Sequence, residues 1–410
     1  MRHFSIPILV ARGLLLSVAL SFPSLVVAQE AILKTDAKFA VIMDYDTGEV
    51  LFEKDADTPT APASMSKLMT IAIVFEKLKN GELSLADPFA VSEKAWRMGG
   101  SKMWVRVDTE ITLENLLRGI IIQSGNDACI VVAENIAGSE AAFADLMNKK
   151  AREWGLNNSY FANPTGWPDP GQKMSMRDLA SLSRKIITEY PDYYALFNER
   201  EFTWEKISQS NRNPILYAFD GADGLKTGHT EESGYGVVAS AVKGEQRRII
   251  VINGLESEKD RSKETLRLMN IAFNDFNETQ FFSADDEVGD ALVFAGLKGS
   301  VPLRLADDVN LLMHRKLKDD VTAKVVYEGP VSAPIKEGQQ IGYLRIGAPG
   351  QSPREYPLFA GSSIRPIGFF GRVGLAARKL LARPEHFDDG APSPEEGRSV
   401  TSNRDPEAVN

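Results

Sequence analysis

The chain has 410 residues, 43% apolar and 25% charged, a composition that suits a globular protein with two or three cored domains. Its formal net charge of -9 argues against a nucleic-acid partner. The charge is uneven: after Pro384 there are seven acids (Glu385, Asp388, Asp389, Glu395, Glu396, Asp405, Glu407) against Arg398 and Arg404.

At the start of the chain, Arg2 and Arg12 flank the approach to an apolar run from Gly13 to Ala28. Val26 and Ala28 stand at the -3 and -1 places of a cut before Gln29, so residues 1–28 are expected to be a secretory signal peptide. The run is at the short limit for a membrane span. Export would place the chain in an oxidising space, yet Cys129 is the only cysteine and no internal disulfide can form. Lying in the apolar stretch Ala128 to Ala133, it reads as a small core residue.

From Lys38 to Lys54 the pattern is that of a hairpin: Phe39, Val41 and Met43 alternate, Asp44 to Gly48 turn, and Val50 to Phe52 return. A helix follows, with Pro62 and small residues ahead of the apolar series Leu68, Met69, Ile71, Ile73, Val74, Phe75 and Leu78, stopped at Gly81. Ser64 and Lys67 open it. Three residues apart, their side chains share one face, and a serine in the positive potential of a helix start can carry a developing anion. A lysine one turn on can take its proton if burial or another cation lowers the ammonium pKa. The spacing alone decides nothing, because Ser240 and Lys243 repeat it where a strand is expected to meet a turn.

A mainly helical region is expected from about Val91 to Glu199, interrupted after Leu113 to Ile122 by Gln123-Ser124-Gly125-Asn126-Asp127. Period two returns after Asn211, with strands around Tyr235 to Ala239 and Arg248 to Asn253, and a helix from about Arg261 to Phe276. Strands flanking a helical insertion give an α+β class, with helices against an antiparallel sheet over residues 29–280. Residues 281–364 read as a small all-β sandwich domain of short strands between Gly and Pro turns. Within 365–384, Phe369, Phe370, Val373, Ala376, Ala377, Leu380 and Leu381 share a helical face, and no acid occurs between Arg365 and Pro384. That basic amphipathic helix is expected to lie in the plane of a membrane. Residues 385–410, rich in Pro, Gly, Ser and acids, are expected to be disordered.

Two further motifs single out Ser64. Ser124-Gly125-Asn126 sits in the helix break, where a loop can point a hydroxyl and an amide into a cleft, and Lys226-Thr227-Gly228 opens the second strand region. S-x-x-K on a helix start, S-x-N in a helical lobe and K-T-G on a strand occur in the order such a motif set requires. With these, Phe161-Ala162-Asn163-Pro164-Thr165-Gly166 and Gly224-Leu225-Lys226-Thr227-Gly228-His229-Thr230 resemble signatures of the low-molecular-mass penicillin-binding proteins, the serine D-alanyl-D-alanine carboxypeptidases. The resemblance covers roughly residues 30 to 380, to the branch with a C-terminal β domain and an amphipathic anchor.

The resemblance implies a β-lactamase/transpeptidase-like fold and a role for each residue. Ser64 would attack the carbonyl of the penultimate D-alanine of a peptidoglycan stem peptide and become acylated, as it would by a β-lactam. Lys67 would be its base, with the cation of Lys226 helping to keep it neutral. Ser124 would relay the proton to the leaving D-alanine, and Asn126 would orient Lys67 and the substrate amide. Backbone N–H groups of Ser64 and His229 would form the oxyanion hole. Thr227 and Lys226 would bind the terminal carboxylate, Arg261 would add positive potential, and Gly228 would let the substrate approach the strand. No cofactor or metal is implied. A D,D-endopeptidase would use the same residues. A serine β-lactamase of the kind that deacylates through a glutamate is disfavoured, since Phe161 to Gln172 contains Asp169 but no Glu. The implied location is the periplasm, on the outer face of the inner membrane.

Overall fold

The structure, a computed structural model, describes residues 8–10, 33–349, 351, 353–371 and 373. Most of the expected signal peptide, the later part of the expected anchor helix and the acidic tail lie outside the described residues.

The first unit is built on a five-stranded antiparallel sheet of β1 (Phe39–Asp44), β2 (Val50–Lys54), β3 (Ala222–Thr230), β4 (Gly234–Lys243) and β5 (Gln246–Leu255), in the order β2-β1-β5-β4-β3. Between β2 and β3 the chain leaves to form a helical lobe: α1 (Lys67–Lys79), α2 (Leu113–Ile121), α3 (Asn126–Ala137), α4 (Glu140–Glu153) and α5 (Met176–Glu189). After β5, α6 (Glu258–Asn274) returns across the sheet.

Both faces of the sheet are covered, which the strand sequences explain. In β5, Ile249 and Val251 pack with α5 and α1 in one core, while Ile250 and Ile252 pack with Leu268, Met269 and Ala272 of α6 in another. A strand buried on both sides reads as a continuous apolar run, as Ile249-Ile250-Val251-Ile252 does. Helix α1 is buried from Lys67 through Phe75, with helices and sheet around it. Such a helix is apolar all round rather than on one stripe, and its first turn is thereby fixed at the join of lobe and sheet.

The second unit is all-β, as expected, and takes the form of a half-barrel. Its first strand, Phe276–Phe282, pairs with Val309–His314. The larger sheet has seven strands; Ile8–Val10, inside the expected signal peptide, pairs in parallel with Ala323–Val325 at its edge. Val288, Leu303, Leu311, Val325, Leu344 and Leu358 form a core separate from those of the first unit. No helix among the described residues is long and apolar enough to cross a membrane.

One buried ion pair ties the first strand to the fifth. Asp44 on β1 and Arg248 on β5 meet with under a twentieth of either residue exposed. Asp44 Oδ1 also accepts from Thr47 N at 2.8 Å and Thr47 Oγ1 at 2.7 Å, and Arg248 Nε donates to Ala272 O at 3.2 Å. Removing one partner leaves a buried charge uncompensated. Asp44→Ala is therefore expected to destabilise the first unit by about 3–5 kcal/mol in urea unfolding, with the site intact at low denaturant.

Candidate active site

Ser64 lies in a 3-10 turn, Ala63–Ser66, that leads directly into α1 at Lys67. The expected α-helical start is thus tighter by one hydrogen-bond step. In 3-10 geometry side chains at i and i+3 eclipse, which brings Lys67 Nζ to 2.8 Å from Ser64 Oγ. Lys67 Nζ also donates to Asn126 Oδ1 at 2.7 Å and to the carbonyl of Thr165 at 2.5 Å. Its three donors are all used, and none of its surface is exposed.

Asn126 and Ser124 come from the break between α2 and α3. Gln123 Nε2 pins the break by donating to Phe202 O at 3.1 Å, and Ser124 sits at φ 59. Ser124 Oγ is buried without a hydrogen-bond partner, an unsatisfied group of the kind that collects at functional sites. Asn126 Nδ2 donates to Gly99 O at 3.0 Å, which fixes its oxygen toward Lys67. The Asp127 carboxylate accepts from Met103 N, Trp104 N, Val105 N and Ala128 N, so loop 99–105 and the start of α3 are one rigid wall.

The carbonyl of Thr165 is held by the loop Phe161 to Gly166. Asn163 Oδ1 accepts from the backbone N–H groups of Thr165, Gly166 and Trp167, and Thr70 Oγ1 of α1 donates to Pro164 O at 2.8 Å. Gly166 has φ 77, and a Cβ there would fall 2.0 Å from Ala63 O, so this loop and the serine turn touch backbone to backbone. The third wall is β3, where Lys226 and Thr227 are buried and His229 is exposed, its ring stacked on Tyr235 at 3.9 Å. Gly228 is also needed for packing. A Cβ there would meet Pro62 O at 2.9 Å and Met65 Cγ at 3.0 Å, so its missing side chain makes room for the serine turn. Ser64, Ser101, Asn126, Thr165, Trp167 and His229 line an open cleft of about 500 Å³.

Residues 26–257 match the family D-alanyl-D-alanine carboxypeptidase, peptidase S11. The chain belongs to this family. Residues 276–365 match the C-terminal domain of penicillin-binding protein 5. D-alanyl-D-alanine carboxypeptidase DacC of Escherichia coli K12 is 36% identical over 346 residues, covering 82% of this chain and 86% of that one. DacF of Bacillus subtilis is 34% identical over 82% of this chain and 87% of its own. Among solved structures, DacD of Francisella tularensis superposes with a TM-score of 0.72 at 29% identity, covering 82% of this chain and 95% of that one. Penicillin-binding protein 5 of Haemophilus influenzae gives 0.62 at 33% identity, covering 80% and 97%.

In this carboxypeptidase the cleft is crowded with cations. Burial lowers the Lys67 ammonium to about 8, with Arg212 adding to the effect and Cys129 and Asp127 opposing it. Lys226 is pushed well below the ordinary lysine value, by burial first and then by the charges of Lys67, Arg212 and Arg261. Desolvation is the first cause at both lysines, and the charges of the two oppose each other. Arg261, buried on α6, pairs with Glu258 at 2.7 Å and lies 5.8 Å from the Tyr235 ring; its Nε has no partner. The structure thus joins Ser64, Lys67 and Asn126 by hydrogen bonds and puts Lys226 within electrostatic reach of Lys67 and Arg261. Cys129 is fully buried and its thiol is pushed up to about 12, chiefly by desolvation.

Two contributors escaped the sequence reading. The Thr165 carbonyl is invisible to side-chain reasoning, although the Asn163 cap within Asn-Pro-Thr-Gly hints at an ordered loop. Arg212 stands outside every motif, at an exposed position where its Nη1 donates to Ser101 Oγ at 2.7 Å. Because its charge helps hold Lys67 down, Arg212→Ala is expected to move the Lys67 titration upward from about 8. Nitrogen-detected NMR of the lysine side chains reads that shift directly, and an unchanged midpoint would remove Arg212 from the site's electrostatics.

Proposed function

We propose that Ser64 is the nucleophile of a serine D-alanyl-D-alanine carboxypeptidase acting on peptidoglycan stem peptides that end in D-Ala-D-Ala. The observation that carries the assignment is Lys67, fully buried, pinned by three oxygens and 2.8 Å from Ser64 Oγ. Neutral Lys67 accepts the Ser64 proton as the oxygen attacks the carbonyl of the penultimate D-alanine. The tetrahedral oxyanion is held by the backbone N–H groups of Ser64 and His229. On collapse the C–N bond breaks, and the proton passes through Ser124 to the nitrogen of the departing D-alanine. Water then hydrolyses the ester, with the proton returning along the same groups.

The substrate's terminal carboxylate accepts from Thr227 and meets the potential of Lys226, Arg212 and Arg261. An anion arriving there favours the charged form of Lys226, against the burial that disfavours it. Asn126 orients both Lys67 and the substrate amide. A β-lactam acylates the same serine. Asp169 is exposed, with Oδ1 accepting from Gly171 N at 2.8 Å. The reading includes export through residues 1–28 and attachment to the outer face of the inner membrane through the basic amphipathic helix of 365–384.

Labelling with a fluorescent penicillin tests the nucleophile and base together. Ser64→Ala should lose the label and D-alanine release; Lys67→Ala should bind β-lactam reversibly and acylate at least about 100-fold more slowly. Because the base form lies above the lowered Lys67 pKa, the wild-type acylation rate should rise with pH through about 8 and level off. Labelling that survives Ser64→Ala, or a rate that falls over that range, would refute the assignment. Truncation after Arg365 should release the protein from membranes and leave activity on soluble peptides unchanged; a truncated form that still fractionates with membranes would refute the anchor.

A further inference from the structure

The half-barrel carries an exposed apolar edge at the point where the chain leaves it. The turn Ala295–Gly299 follows the strand Glu287–Phe294 and presents Leu297, 66% exposed, beside the exposed Phe294 and Lys298. This turn is fastened to the exit segment by backbone bonds. Leu297 N donates to Arg365 O at 2.8 Å, Ile367 N donates to Ala295 O at 2.8 Å, and Gly296 bridges Pro366. Two residues further along, Phe369 and Phe370 are 76% and 89% exposed, and Val373 is exposed as well. Five apolar side chains from two stretches of chain thus stand at one edge, flanked by exposed Lys298, Arg365 and Lys336. Beside Lys336, exposed Glu337 has its N–H tied to Ser363 Oγ at 3.0 Å.

Isolated surface apolar residues need no explanation, but a cluster ringed by cations and free of acids at its centre does. We propose that the Ala295–Gly299 turn is a second membrane contact, inserting Leu297 and Phe294 among lipid acyl chains with Lys298 and Arg365 at anionic headgroups. This rests on the reading of 365–384 as a membrane-plane helix and goes beyond it. The occupant is a lipid surface because the turn is locked to the first residues of a segment that has no acid before Glu385 and repeats the same chemistry, apolar face and basic flank. A lone amphipathic helix binds reversibly and lets its cargo swing; a second contact rigidly joined to its start adds affinity by effective concentration. It also fixes the half-barrel's orientation on the bilayer.

A label at position 297 tests this in the full-length chain. Leu297→Cys accepts a polarity-sensitive fluorophore selectively, because Cys129 is fully buried. With vesicles of phosphatidylglycerol and phosphatidylethanolamine, the emission should shift to the blue and be quenched by brominated acyl chains, while the same label at Lys149→Cys on α4 should not respond. Phe294→Ser with Leu297→Asp should weaken vesicle binding about tenfold or more and leave penicillin labelling unchanged. Protein that sediments with vesicles while the label at 297 stays in water overturns the proposal and leaves the helix anchor standing. Full-length protein that does not bind vesicles overturns both.

Discussion

The site depends on one ammonium group being held in a dry place by oxygens from three segments. Lys67 Nζ donates to the serine turn, to Asn126 at the start of α3 and to the Thr165 carbonyl, and each donation also locates the segment that accepts it. A lysine left in water would stay protonated at neutral pH and could not serve as a base. Buried without a carboxylate partner, it is brought close to the working range, and the charged form that remains is tolerated because every N–H is satisfied. The surrounding architecture serves that balance: α1 is buried from its first residue, Lys67, through Phe75, and the backbone of Gly166 presses against Ala63.

Electrostatically the cleft is a prepared anion site. The charge of Arg212 opposes those of Lys67, Lys226 and Arg261, and of these four groups Arg261 is paired with an acid, Glu258, at 2.7 Å. Such a cluster is unfavourable for stability and favourable for a carboxylate ligand, the usual opposition between function and stability at a site. Asp127, the acid buried nearby, spends its lone pairs on four backbone N–H groups and so builds the wall, while its charge partly opposes the lowering of Lys67.

Much of this was legible in the sequence because it rests on side-chain identity at fixed spacing. Ser64 with Lys67, Ser124 with Asn126, and Lys226 with Thr227 are short-range patterns, and their order along the chain implied the lobe-in-sheet arrangement that β1, β2 and then β3 to β5 display. What could not be read was of two kinds. A backbone carbonyl such as Thr165 O has no residue type to betray it. A single long side chain such as Arg212 reaches the cleft only because the hairpin of Glu201–Trp204 and Ile207–Ser210 carries the chain back past loop 99–105. The packing role of Gly228 was hidden similarly: that a glycine was needed could be read, but that the serine turn takes up the space is a fact of three dimensions.

The buried thiol has a consequence of another sort. Ser64 and Cys129 lie close enough to the same lysine for the cleft to hold two conceivable nucleophiles, and a thiol is by nature the more reactive toward electrophiles. Sealing Cys129 and raising its pKa reverses that order, so that an electrophile entering the cleft meets only the hydroxyl. The same seal withholds the thiol from peroxide, and with one cysteine in the chain no internal disulfide forms during folding. Its folding therefore waits on no internal disulfide, whatever the oxidant level around it.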